Sequence, residues 1–600
     1  MALCCIRLSR GFGSYRANRL PKSSYLKSHK PFRALSFSSV AQKWDTDQKG
    51  LPSAHSTKPN QDGSDWGRQK GTFQGRWGLT IAGAAAFTGI AGFYLGSQAR
   101  PHGPSVSIAP LSTAPLENCE PAKFDLSISN LRDAAAEFEE IIGKSNVLTD
   151  KDAMEAYAGS DWSSYSPKQG EKPSIVLSPS TTEHVSRIMK VCHRRRIPLT
   201  SYSGGTSLEG HFTPTRGGVC LNFQEMDQIL SIHRDDLDVH VQAGVEWELL
   251  NEELAKDGLF FPPDPGPGAL IGGMVGTGCS GTNAFHYGTM REWVVSLTVV
   301  LADGTIIKTR QRPRKSSAGY DLTKLFIGSE GTLGVVTEAT LKLTVKPKNE
   351  RVAVASFGSI HEAADCVATL VKEGVGLTAV ELLDDVQMKC VNDSGSTNRV
   401  WKQAPTLFFK FAGSPGAVDE QIQITKRMAQ EARSQSFEFA QSSEEAAELW
   451  EARKYALWSI TAMKKDPSDL VWTTDVAVPI SQLANIIQQT KDDIEQSGLL
   501  GGIVGHVGDG NFHVMMVYND QSRAKAEKLV HDMVNRAIKM EGTITGEHGI
   551  GIIKRDYLPN EVGSHTVDTM RKLKQALDPL LLLNCDKIFR QNSPSDTTRR

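Results

Sequence analysis

Apolar and polar positions alternate between two periods along most of this chain. Short apolar runs such as "SIVL" (174–177) and "VHVQAG" (239–244) predict strands, and between them apolar residues recur at helical spacing. "TEHVSRIMKVCHRRR" (182–196) predicts a helix and "PLTSYS" (198–203) the strand after it. "EWELLNEELAKDG" (246–258) predicts another helix, with Trp247, Leu250 and Leu254 on one face. "VVSLTVVLADGTIIKT" (294–309) predicts a hairpin turning at Asp303-Gly304. A break at "KPKNE" (346–350) precedes a second series, which opens with the strand "RVAVASF" and a helix ending at Gly374. The pattern predicts two α+β domains, 126–346 and 350–590, without an internal repeat. Six hundred residues are too many for one core, which agrees with that division.

Before residue 126 the pattern is different. Residues 77–99 ("WGLTIAGAAAFTGIAGFYLGS" and onward) carry no charge and are long enough to cross a bilayer as one helix; a buried soluble helix is the alternative. Ala85, Gly89, Gly92 and Gly96 would form a smooth face for a second helix. Residues 1–44 hold many Lys and Arg and no acid before Asp45, the make-up of a mitochondrial transit peptide. Residues 45–76 read as a linker, and the proline-containing stretch 100–125 as a tether. Arg68, Lys70 and Arg76 precede the apolar stretch and Arg100 follows it alone. That bias places the N-terminus in the matrix and the C-terminal part in the intermembrane space, with one helix in the inner membrane.

Charge is balanced, Lys+Arg 67 against Asp+Glu 68, so no nucleic-acid partner is expected. The nine cysteines form no Cys-x-x-Cys pair and read as free thiols.

Candidate chemistry begins with two glycine clusters. "SYSGGTSLEG" (201–210) follows a predicted strand and offers the backbone N–H groups of Gly204 and Gly205 with the hydroxyls of Ser203, Thr206 and Ser207. Such a nest can hold a pyrophosphate, an ordinary glycine turn being the alternative. "IGGMVGTGCSGTN" (271–283) formally matches Gly-x-Gly-x-x-Gly, but it is preceded by "PPDPGPGA" and reads as leading into a polar loop. A nicotinamide Rossmann site is therefore not expected there. Two separated phosphate-binding loops instead suit a large cofactor lying extended across the domain.

In "GHVGDGNFH" (505–513) a turn over Gly508–Asn511 would pair Val507 with Phe512 and set His506 opposite His513. Two imidazoles on one face could hold a divalent metal if a third ligand arrives; a hairpin with two hydrogen-bonded histidines is the alternative. Asp509 is expected to order the turn.

"SGGTSLEGH", "PPDPGPGALIGGMVGTGCSGTNAFHYGTMREWV" and "LFIGSEGTLGVVTEATLKL" together resemble the FAD-binding domain of the vanillyl-alcohol oxidase-like flavoprotein family. "TDVAVPIS", "GHVGDGNFH" and "GEHGIG" resemble the C-terminal domain of its D-2-hydroxyacid dehydrogenase branch. The likeness spans about residues 130–590. It implies a two-lobed FAD-binding domain followed by a second α+β substrate and metal domain with an antiparallel sheet. It implies FAD with its pyrophosphate on Ser203, Gly204, Gly205, Thr206 and Ser207, and further contacts from Pro263, Gly273, Ser280, Gly281, Thr282, Asn283 and Val336. Relatives with covalent flavin often have a histidine where this chain has Thr206, so FAD is expected to be non-covalent. Relatives commonly end "NPGK", whereas this chain departs from that pattern with Asn584-Cys585-Asp586-Lys587.

"TITGEHGIG" supplies Glu547 as a third metal ligand, the alternative being an exposed acid in a turn. Two histidines and one carboxylate leave coordination positions open, as catalytic sites require. The resemblance supports His506, His513 and Glu547 as that set, with zinc the expected ion. His548 is the candidate base for the substrate hydroxyl, or else support for its neighbour. Arg453 in "LWEARKYALWS" matches the family's carboxylate-binding arginine, or else is a solvated helix charge. Leu457, Thr473 and Met515 replace the polar groups found in relatives acting on 2-hydroxyglutarate, so a short apolar substrate is expected. Trp458 and Trp472 are expected to pack in the core or line the pocket. The resemblance implies oxidation of D-lactate, and together with the expected topology it implies cytochrome c as acceptor. Action on D-2-hydroxyglutarate or glycolate, and a catalytically silent flavoprotein anchor, are the alternatives.

Overall fold

The structure is a computed structural model and describes residues 114–160 and 162–591. The transit peptide, linker, membrane helix and first part of the tether expected before residue 114 lie outside the described residues. Among the described residues no helix is long and apolar enough to cross a membrane.

The first sheet holds β1 (Val147–Leu148), β2 (Ile175–Leu177), β3 (Leu199–Tyr202) and β4 (Val219–Asn222) in the order β1-β2-β4-β3. β2 and β3 run parallel to β4, and parallel neighbours need a crossover. The helix Thr182–Arg195 is the crossover that carries the chain from β2 to β3, on the two sides of β4. Thr181 caps its start by accepting a hydrogen bond from His184 N at 3.1 Å, and His193, Arg194 and Arg195 lie in its last turn, where cations meet the negative end of the dipole. Its Val185, Ile188, Met189 and Cys192 are buried with Leu177, Val219 and Leu221 in one core.

The next seven strands are β5 (Ile229–His233), β6 (Asp238–Gln242), β7 (Leu259–Phe260), β8 (Val294–Val300), β9 (Ile306–Lys308), β10 (Val335–Lys342) and β11 (Thr344–Val345). They form an antiparallel sheet, β5-β6-β10-β8-β9, and a separate pair, β7 with β11. β8 and β9 make the hairpin expected at Asp303-Gly304. Gly304 takes φ +86°, and Thr305 N donates to Asp303 Oδ1 at 2.8 Å.

β12 (Glu350–Ser356), β13 (Ala379–Leu383), β14 (Thr406–Ala412), β15 (Ser436–Phe439), β16 (Leu470–Thr473), β17 (Val476–Ala477), β18 (Leu500–Gly505) and β19 (Asn511–Tyr518) build the second sheet system, antiparallel throughout. The order is β15-β12-β14-β13-β18-β19-β16, with β17 also on β19. Strand alternation sorts its residues into two cores. Ala353, Phe409, Phe411, Ile503 and Val514 face the helices Ile360–Lys372, Leu483–Ser497 and Arg523–Lys539. Val352, Val354, Phe408, Val504 and Met515 face Asp385–Ser394, Ser443–Lys454 and Ala456–Thr461. Burial of the fully enclosed Phe408, Phe409 and Phe411 contributes about 1.5–3 kcal/mol each.

The chain then returns to the first sheet. Leu199 and Leu583 form a parallel bridge, and Asn584 N donates to Leu199 O at 2.8 Å.

Candidate active site

The two glycine clusters, read from the sequence as separated loops, are in contact. Ser203 Oγ accepts a hydrogen bond from Gly273 N at 3.2 Å, so the end of β3 touches the second cluster. Gly204 is packed so closely that a Cβ would lie 2.3 Å from Gly268 O. The second cluster is not wholly a loop: Ile271–Thr277 is a helix, closed by Gly278 in the left-handed region at φ +67°. Gly272 leaves room for Ala243, whose Cβ would lie 2.8 Å from an added one, so packing overrides poor helix propensity.

Past that helix, Asp264 orders the turn. It accepts from Thr282 Oγ1 at 2.6 Å and from Asn283 N at 2.9 Å, while Asn283 Nδ2 donates to Pro262 O at 3.0 Å. Pro263, Ser280 and Gly281 are buried there, whereas Thr206, Ser207 and Val336 are half-buried. Ser201 Oγ, His211 Nδ1 and Asn584 Oδ1 are buried without a hydrogen-bond partner. Unpaired buried polar atoms are costly in a protein interior, and here they fit a polar cofactor laid along the glycine cradle.

The segment after this cradle abuts the histidine turn: a Cβ on Gly508 would meet the Phe285 ring at 2.6 Å. The turn differs from the expected one. β18 ends at Gly505, and Val507–Asp509 forms a tight 3-10 turn, so Val504, not His506, lies opposite His513. His506 caps the turn beyond the strand, where Asn511 N donates to its carbonyl at 3.3 Å. The two rings still converge, with centroids 5.7 Å apart and planes perpendicular at 90°.

Glu547 Oε1 lies 3.1 Å from His506 Nε2 and 3.2 Å from His513 Nε2, and the three ligand atoms fall within 4.8 Å of one another. The other ring nitrogens are engaged: His506 Nδ1 is 2.8 Å from Glu381 Oε1, and His513 Nδ1 is 3.0 Å from Thr474 O. Outer partners of this kind orient imidazoles for metal binding and leave both Nε2 atoms facing Glu547. The donor set therefore fits a divalent ion with open positions. Burial pulls the His506 pKa down, but Glu381 and Glu547 raise it well above its ordinary value. Burial opposes the ionised Glu547, yet the two histidines hold it well below the usual carboxylate range.

His548 stacks on His513 at 4.9 Å with planes 8° apart, and its Nδ1 is 3.5 Å from Glu209 Oε1. Its Nε2 is 4.0 Å from Glu547 Oε1. Arg453 is not a solvated charge: Nε donates to Glu381 Oε2 at 2.6 Å, and Nη2 lies 3.4 Å from His506 Nε2. Thr473 and Met515 are cross-strand partners, both buried, and Leu457 packs against the Met515 core. Trp458 is neither core nor enclosed lining, being 53% exposed, while Trp472 packs at the edge of the sheet core.

Sequence reasoning missed the acids that organise this site. Asp475 Oδ2 accepts from Glu547 N at 3.0 Å, His548 N at 2.9 Å and Thr545 Oγ1 at 2.7 Å, and Asn511 Nδ2 donates to Oδ1 at 2.8 Å. With both oxygens committed, Asp475 is poorly placed to bind an ion with His513 and His548. Burial opposes its charge, but Lys554, His548 and His513 lower its pKa strongly. Lys554 Nζ sits 2.9 Å from Glu209 and 3.4 Å from Asp475, joining the first glycine cluster to the second sheet system. Asp475 and Glu209 both lie inside motifs already singled out, which was the available signal.

Residues 173–310 match the FAD binding domain family, and residues 346–588 match FAD linked oxidases, C-terminal domain. A mitochondrial D-lactate dehydrogenase [cytochrome] from Kluyveromyces lactis is 48% identical over 523 residues, covering 85% of this chain and 89% of the relative.

This chain belongs to the FAD-linked oxidase family.

Another family member, D-lactate dehydrogenase [cytochrome] 1, mitochondrial, from Saccharomyces cerevisiae, is 48% identical over 490 residues, covering 80% of this chain and 83% of its own length. A solved 4-ethylphenol oxidase from Gulosibacter chungangensis superposes with a TM-score of 0.64 at 18% identity, over 77% of this chain and 98% of that one. That likeness shows a shared fold. The family's cofactor is FAD, and the glycine clusters lie within the residues that match its FAD binding domain.

Proposed function

We infer that this protein oxidises D-lactate to pyruvate, with FAD as the immediate oxidant and a cytochrome as the final acceptor. The observation that carries the reading is the convergence of His506, His513, Glu547, His548 and Arg453 beside the glycine cradle, in a chain whose relatives are named for that reaction.

Non-covalent FAD, held by Ser203, Gly204, Gly205, Thr206, Ser207, Pro263, Gly273, Ser280, Gly281, Thr282, Asn283 and Val336, supplies a two-electron acceptor for the C2 hydrogen of lactate. A divalent ion such as zinc, held by His506, His513 and Glu547, would supply Lewis acidity that lowers the substrate hydroxyl pKa. Arg453 binds the substrate carboxylate with its free guanidinium N–H groups, while Glu381 fixes the fork from behind. His548 takes the hydroxyl proton at Nε2, and Glu209 beside Nδ1 steadies the resulting cation. Leu457, Thr473 and Met515 give a second substrate carboxylate no cation, and leaving one unpaired in such surroundings is costly. That favours lactate over 2-hydroxyglutarate.

The N-terminal region completes the reading: a mitochondrial transit peptide over 1–44, a linker over 45–76, one inner-membrane helix over 77–99 and a tether to residue 125. Positive charges before that helix put the catalytic domains, 126–346 and 350–590, in the intermembrane space, within reach of cytochrome c. Protease treatment of mitoplasts tests this, since an intact catalytic part with the outer membrane opened contradicts it. The activity is tested by anaerobic titration: D-lactate should bleach the flavin and L-lactate should not. An unchanged spectrum with D-lactate overturns the assignment.

A further inference from the structure

Glu330 is a buried acid whose backbone and side chain serve two different parts of the molecule. It lies in "GSEGTLG" with φ +53°, a left-handed conformation unfavourable to residues with a Cβ, and it is 6% exposed. Its backbone belongs to the glycine cradle. Glu330 N donates to Gly276 O at 2.8 Å, at the end of the helix whose Gly273 touches Ser203. Asn584 Nδ2 donates to Glu330 O at 2.6 Å.

Its side chain belongs to the other half of the site. Oε1 accepts from Ile550 N at 2.7 Å and Oε2 accepts from Gly551 N at 2.9 Å. His211 Nε2 is 3.4 Å from Oε2. Gly549 comes so close that a Cβ would lie 2.9 Å from Oε1. These amides lie two and three residues after His548, in the same loop. The loop is thus stapled from two sides, by Asp475 of its own sheet system at Glu547 and His548, and by Glu330 of the cradle at Ile550 and Gly551.

We propose that Glu330 is a positioning residue that couples the flavin cradle to the Glu547–His548 loop, so that FAD occupancy and the metal set reinforce one another. The proposal rests on the reading of Glu547 as a metal ligand and His548 as the base. A bound flavin stiffens the cradle around the helix Ile271–Thr277. Glu330 carries that order to the loop, which presents Glu547 between the two imidazoles. Coupling of this kind is reciprocal: whatever factor FAD adds to metal affinity, the metal adds to FAD affinity.

The test uses the full chain, with zinc alone as the probe. Zinc affinity is measured by chelator competition in flavin-loaded and flavin-stripped protein, for wild type and Glu330→Gln, together with amide exchange at Ile550 and Gly551. The glutamine keeps the shape but turns an N–H donor toward one of the two amides. The expected result is a zinc affinity lowered about tenfold or more, faster exchange at those two amides, and loss of the dependence on FAD. kcat per bound flavin should fall while the KM for D-lactate changes less. A folded Glu330→Gln protein with unchanged zinc affinity and unchanged dependence on FAD overturns the proposal, even if its Tm is lower. Should the variant fail to fold, wild type decides: equal zinc affinity with and without FAD overturns it. Failure of D-lactate to bleach the wild-type flavin removes the assigned reaction instead, and the zinc measurements still decide the coupling because no substrate enters them.

Discussion

Glu381 bridges His506 and Arg453: one carboxylate oxygen lies 2.8 Å from His506 Nδ1, and the other accepts from Arg453 Nε at 2.6 Å. A single buried acid on β13 thereby orients both a proposed metal ligand and the proposed substrate clamp. Burial disfavours its charge, but His506 and Arg453 more than offset that and lower its pKa. Glu381→Gln should lower zinc affinity about 10- to 100-fold and raise the KM for D-lactate, with flavin content unchanged. Zinc analysis and steady-state kinetics on the purified variant check this; unchanged values for both would remove Glu381 from the site.

Arg453→Lys separates charge from fork geometry. A lysine keeps the cation but cannot present paired N–H groups to a carboxylate while also holding Glu381. The KM for D-lactate should rise on the order of tenfold, which is about 1.4 kcal/mol of lost binding. Flavin and zinc content should stay the same. An unaltered KM would show that the substrate carboxylate binds elsewhere.

His548→Gln removes the proposed proton acceptor without emptying its place. The rate of flavin reduction should fall about 10²- to 10⁴-fold, with zinc retained because His506, His513 and Glu547 remain. Rapid-mixing absorbance under argon measures it. Reduction at the wild-type rate would assign the proton to another group.

Lys587 gives a pH prediction away from the chemistry. It is fully buried, donates to Thr213 O, and burial pushes its pKa down from 10.5 to about 8. The depressed value means that the unfolded chain binds more protons between those two pH values, so its contribution to stability rises across that window. Below about pH 8 the full penalty for holding the charge inside is present, of order 3 kcal/mol. The stability of wild type relative to Lys587→Met should therefore improve between about pH 7 and about pH 10. Denaturant unfolding at both pH values decides; a constant difference would contradict the burial effect.

Much of the fold was legible because local periodicity carries it. The helix Thr182–Arg195, the β8-β9 hairpin and the break before β12 can all be read from neighbouring residues. The His506–His513 register could not, because alternation does not reveal that the chain leaves the strand at Gly505 for a 3-10 turn. The helix Ile271–Thr277 hides behind three glycines of poor helix propensity and exists because its neighbours need close approach. His506, His513, Glu547, His548 and Arg453 stood out as residue types suited to the chemistry. Glu330, Asp475 and Glu209 lie inside the quoted motifs and Glu381 outside them, but the role of each was hidden because each acts on a partner far away in sequence.

The central claim is that a metal held by His506, His513 and Glu547 works with the flavin on one D-lactate molecule. It is tested most directly by rapid-mixing flavin reduction with D-lactate, comparing zinc-loaded enzyme with chelator-treated enzyme that still holds its FAD. The expected result is fast reduction in the first, little in the second, and recovery when zinc is returned. Equal rates with and without the metal would contradict the account.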